Sequence, residues 1–198
     1  MNMNSNEPRQ IEFSSLNGVK TVEHAVKMQW LVTGVSAGID MGRMSIASGR
    51  LDFGPGISGR HTAENPETCF RELEVTPASP PPFSYLITAE ASLKEIDIRS
   101  AGDAVFSGNY YNSDETISQG IIEHNRPFLQ SGNYDGVVRH SAAAYQKDMT
   151  YETVHALLPS AIDKTKIIKV EPLGANSPPV EIRWPDGRRD STSSYTGA

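Results

Sequence analysis

Between residues 22 and 32 the chain alternates. Val22, His24, Val26, Met28, Trp30 and Val32 form one mostly apolar set, while Glu23, Ala25, Lys27, Gln29 and Leu31 form the other. Period two sends successive side chains to opposite faces of an extended backbone, so the spacing predicts a strand. A helix over 21–30 is the competing reading. Ile96 and Ile98 alternate with Glu95, Asp97 and Arg99, which predicts a second, half-buried strand with its acids turned to solvent. Shorter apolar runs at 11–16, 44–53, 69–76, 83–91, 136–140, 166–171 and 180–184 predict further strands. Between them lie turn signals such as Asn17-Gly18, Gly54-Pro55-Gly56, Asn65-Pro66, Pro80-Pro81-Pro82, Ser131-Gly132 and Pro185-Asp186-Gly187.

Helical spacing appears in few places. Ser113 or Asp114 suits a cap for a helix carrying Ile117, Ile121 and Ile122 on one face, with a stop at Arg126-Pro127. Tyr151, Val154, His155 and Leu158 suggest a second helix over 150–158, closed by Pro159. A third helical turn is expected at 141–147. The sum is a mainly β, α+β fold: an antiparallel β-barrel or sandwich with one or two short helices. An α/β layered fold is the alternative, because of the unit spanning 22–38. One β-rich domain is expected over 10–184, between a polar flexible N-terminus at 1–9 and a Ser/Thr/Gly-rich flexible tail at 185–198.

The 198 residues are enough for one domain with a real core. Hydrophobic residues make up 37% and charged residues 21%, too apolar for wholesale disorder. The formal net charge is −6, and Lys and Arg are scattered singly, so nucleic acid is not an expected partner. No apolar run is long enough to span a bilayer, so no membrane is expected either. The single cysteine, Cys69, excludes an intrachain disulfide, and the polar first residues do not form a secretory signal. The expected location is cytoplasmic. No metal or other cofactor is expected, because the five histidines show no ligand spacing.

Two motifs overlap in Gly34-Val35-Ser36-Ala37-Gly38-Ile39. As G-x-S-x-G they match a nucleophile elbow, with Ser36 as nucleophile. Against this, a poor helix opening follows and no downstream acid–His signature appears. Thr33-Gly34 through Gly38-Ile39 also resembles the opening of a dinucleotide-binding loop, as in the short-chain dehydrogenases. Asp40 would repel a phosphate there, and the Tyr-x-x-x-Lys pair is missing. The reading that remains is a glycine-containing turn between two strands.

Glu123, His124 and Arg126 bring an acid, an imidazole and a guanidinium together near a helix end. Tyr110 and Tyr111 form the most polar-aromatic stretch. Trp30, Tyr110, Tyr111 and Arg126 are the candidate ligand contacts; for catalysis His124 is the candidate base, Glu123 or Arg126 its electrostatic partner, and Tyr110 or Tyr111 a hydrogen-bond donor. The favoured function is a binding or interaction module that takes a protein partner or a small apolar ligand on its loops or in a barrel cavity. A strand edge would let copies pair as a homo-oligomer. The alternative is a cofactor-free cyclase, isomerase or hydrolase working in that cavity.

Overall fold

A computed structural model describes residues 20–44, 57–99, 115–141, 144 and 150–197. The first long strand, β1, runs Thr21–Val32. Lys27 and its odd-numbered neighbours on the first half are exposed, while Val26, Met28 and Trp30 are buried, as the alternation requires. Two further strands follow, β2 at Ile39–Asp40 and β3 at Arg60–Ala63. Helix α1 spans Pro66–Glu72, and the long strand β4 covers Ser84–Asp97. Helix α2 spans Glu115–Gln130, then come β5 at Gly136–His140 and β6 at Thr153–Leu157. A 3₁₀ turn at Pro159–Lys164 leads into β7 at Lys166–Leu173, β8 at Glu181–Arg183 and β9 at Arg189–Ser191.

The large sheet has the order β1-β3-β6-β5-β4-β7, and β1 also pairs with β4. That extra pairing closes β1, β3, β6, β5 and β4 into a five-stranded barrel, with β7 hung on the outside edge of β4. Every pairing around the ring is antiparallel except β4 with β5, which is parallel. A second sheet, β2-β8-β9, packs beside it. Trp30, Tyr85, Ile87, Val170, Ile182 and Trp184 belong to the core between these two layers. Mixed α+β architecture, mostly strand, with few short helices among the described residues, is therefore what the short apolar runs build.

Inside the barrel, Val26 and Met28 of β1 meet Ala91 and Leu93 of β4 and Leu157 of β6. The same inward faces carry charge. Glu95 is fully buried, His155 is fully buried, and Asp97 is nearly so. His155 Nδ1 lies 2.8 Å from Glu95 Oε2, and His155 Nε2 lies 3.2 Å from Glu64 Oε1. Burial pulls the His155 pKa down, but hydrogen bonds to Glu64 and Glu95 outweigh it and leave the value raised, at about 9.

Several elements differ from the sequence pattern. Glu95 and Asp97 do not face solvent: ring closure turns their side of β4 inward, while Ile96 is buried on the other side. Residues 69–76, expected as strand, begin inside α1, because Asn65 caps it through Oδ1 to the Glu67 N–H at 2.9 Å and Pro66 opens it. Residues 153–157 form a strand where helical spacing was read. β6 sits between β3 and β5 with Val154 to Leu157 all buried, and continuous burial cannot be told from a helix by period alone. Pro127 does not stop α2, which continues to Gln130: proline removes one donor but its φ suits a helix. Secondary structure also continues past Trp184, since β9 pairs with β8 and Thr192 is buried. The expectations for 1–16 and most of 44–53 lie outside the described residues.

Candidate functional site

A cleft of about 640 Å³ opens at the edge of the barrel. One wall is the connection between β1 and β2, the middle is β3, and the far wall is α1. Arg139 of β5, Val154 of β6 and Arg183 of β8 complete the lining.

The β1–β2 connection is shaped by glycine. Gly38 N–H donates to Val35 O at 2.9 Å, closing a turn around Ser36 and Ala37. Gly38 has φ +100°, and a Cβ there would meet Glu181 O at 2.9 Å. The close approach allows β2 to pair in parallel with β8. Ser36 is thus exposed on a strand–turn–strand, with β2 rather than a helix following it.

Electrostatics give the cleft its character. Arg43, Arg60, Arg139 and Arg183 line it, against two carboxylates, Asp40 and Glu72. Arg60 is the best fixed. Its Nη2 donates to Met41 O at 3.0 Å and to Arg43 O at 3.2 Å, and its guanidinium lies 5.1 Å from the Trp30 ring centre. Burial lowers the Arg60 pKa to about 10, and the charge of Asp40 only partly offsets this. The Trp30 indole N–H is buried with no hydrogen-bond partner among the described residues. Arg60, a cation only partly compensated by Asp40, and Trp30 therefore line the same cleft.

α1 supplies the opposite wall. Glu72 is held by Ser141, whose Oγ donates to Glu72 Oε1 at 2.5 Å and accepts from the Ala144 N–H at 3.1 Å. One turn earlier, Cys69 Sγ donates to Gln29 O at 3.2 Å. Burial pushes the Cys69 thiol up to about 12, which makes it a packing residue rather than a nucleophile. Leu73 adds exposed apolar surface at the rim.

Of the residues singled out in the sequence, Ser36 and Trp30 come together in this lining. Glu123, His124 and Arg126 sit on α2 and are not among the lining residues. His124 is half-buried, with its ring centre 5.9 Å from that of Phe128. Tyr110 and Tyr111 lie outside the described residues. Pattern reading missed Arg60, Arg139, Arg183 and Glu72, because each comes from a different element and their spacing carries no motif.

No family model matches the chain, and no curated protein matches it. Among solved structures, a chain from the crystal structure of the M. tuberculosis MbcT-MbcA toxin–antitoxin complex is similar at 15% identity and a TM-score of 0.49. The match covers 76% of this chain and 85% of that one.

Proposed function

We propose that the protein is a ligand-binding module whose cleft takes a small molecule bearing a phosphate or carboxylate group, with an apolar part seated against Trp30 and Leu73. The observation that carries this reading is Arg60: a cation held by backbone carbonyls and an indole face, with its pKa lowered by burial, gains from an anion the counter-charge that Asp40 supplies only in part. The expected small apolar ligand keeps its place on the apolar lining but acquires a charged group.

Inorganic pyrophosphate is the simplest probe. Anything that binds the folded state alone stabilises it by RT ln(1 + [L]/Kd), about 2.7 kcal/mol at a hundredfold excess over Kd. Pyrophosphate should therefore raise the unfolding midpoint above that in sodium chloride of matched ionic strength. Equal midpoints in the two salts would count against the cleft.

A second reading, catalysis, is favoured by Glu72 alone, a carboxylate oriented by a buried serine and facing the cleft. On that reading Glu72→Gln abolishes turnover of a phosphorylated substrate while leaving pyrophosphate affinity within about twofold. Equal turnover by variant and wild type would remove it.

A further inference from the structure

The buried charges inside the barrel are not used by the cleft. Six residue steps along β1, roughly 20 Å of extended chain, separate His24 from Trp30. At the His24 end, three donor atoms converge. His24 Nε2 lies 2.6 Å from Glu95 Oε2, and His155 Nδ1 lies 2.8 Å from the same oxygen. The ligand atoms of His24, Glu95 and His155 all fall within 4.8 Å of one another.

The hydrogen bonding is lopsided. Glu95 Oε2 is approached by two ring nitrogens, while Glu95 Oε1, also buried, has no hydrogen-bond partner among the described residues. His155 faces a carboxylate oxygen through both ring nitrogens. An ionised carboxylate only accepts, so the Nδ1–Glu95 contact, like the Nε2–Glu64 contact, is held either by a ring proton or by a metal ion that takes its place. Two electron-rich atoms at hydrogen-bond distance need a cation between them, a proton or a metal ion.

We propose that His24, His155 and Glu95 form a site for a divalent transition-metal ion of the zinc type, with Glu64 as the outer carboxylate that orients His155. Two imidazoles and one carboxylate are a recurrent zinc ligand set with a fourth position left open. A carboxylate on the far nitrogen of a ligating histidine is the usual support for such a site. The metal would also place positive charge beside the fully buried Glu95, whose Oε1 has no hydrogen-bond partner among the described residues. Access exists, since the side chains of His24 and Glu64 are 21% and 46% exposed. Metal–ligand bonds of about 2.0–2.1 Å place tetrahedral ligands roughly 3.3 Å apart, so the contacts must open by roughly 0.6 Å. Movement of His24, the most exposed of the three, opens its own contact to Glu95, while the His155–Glu95 contact opens only by a shift between two buried side chains. Arg99, whose charge also acts on Glu64 and Glu95, is hydrogen-bonded through its guanidinium to Asp97 at two positions.

The test uses the full chain, stripped with chelator and titrated with Co²⁺. The expected result is one saturable equivalent with the visible absorption of tetrahedral cobalt, displaced by Zn²⁺. Glu64→Gln should weaken binding about 10–100-fold, as outer-shell changes do. His24→Gln, at a partly exposed position that leaves the fold intact, should weaken it at least as much, while His61→Gln in the cleft changes nothing. Absence of a saturable cobalt spectrum would overturn the proposal. So would wild-type affinity in His24→Gln, which would mark an adventitious ion, or a proton NMR spectrum in which His155 stays doubly protonated at saturating Zn²⁺.

Discussion

Single residues carry the chemistry, and their environments decide which of them react. Cys69 shares the cleft with four arginines, which would ordinarily favour a thiolate. Burial against Gln29 O and the neighbouring Glu72 charge act the other way and hold the thiol up to about 12. The native protein should therefore resist a thiol-directed reagent at pH 8 and react with one equivalent only when unfolded; fast native labelling would contradict this. The same shift ties stability to pH. The pKa is raised from 9.0, so the buried thiol's contribution is complete below about 9 and is lost as pH climbs toward 12. Gly38 is the second decisive residue. With φ +100° and a Cβ meeting Glu181 O at 2.9 Å, Gly38→Ala should cost more than about 1 kcal/mol in a urea titration, and should loosen the turn that carries Ser36. Pattern reading identified that turn correctly as strand–turn–strand, because glycine and alternation are both local signals.

At the level of elements, legibility followed whether the deciding interaction was local. β1 follows from its own period-two pattern, and β5 from a short apolar run bounded by turn signals, because both signals are written in sequence. α1 was missed although its cap is just as local: Asn65-Pro66 marks a turn and a helix start equally well, and Cys69-Phe70 looks like strand when the cap is ignored. Asn65→Ala should lower stability by about 1 kcal/mol and shorten the wall that holds Glu72. An unchanged unfolding midpoint would show that packing of Cys69 and Phe70 alone holds the helix. β6 was missed for a different reason. Val154 to Leu157 are buried on both sides by neighbouring strands, and that burial is a property of the sheet rather than of the segment. Glu95 shows the same limit from the other direction: its alternation with Ile96 gives two faces correctly, but only ring closure says that the acidic face points inward.

The described residues form a closed ring of strands with a small sheet packed beside it, and closure assembles both clusters. It brings His24, Glu95 and His155, widely separated in sequence, onto one inner surface, and it places Arg60, Arg139 and Arg183 around one opening. Neither cluster has a sequence spacing that could announce it. Closure also leaves little room at the seam. At Gly136, which pairs with Glu95 and Leu157, an added Cβ would stand 2.1 Å from Ala156 O. Gly136→Ala should cost about 3 kcal/mol, and should disturb the interior cluster as well as stability, readable as a loss of cobalt binding together with a lower unfolding midpoint.

The most direct test of the cleft is calorimetric titration of inorganic pyrophosphate into the wild-type chain, Arg60→Gln and, as a surface control, Lys27→Gln, with circular dichroism confirming that all three are folded. The structure predicts saturable one-to-one binding to the wild type, unchanged binding to Lys27→Gln, and at least tenfold weaker binding to Arg60→Gln, a loss of about 1.4 kcal/mol. Equal affinity in the wild type and Arg60→Gln, or no saturable binding to the wild type, would contradict it.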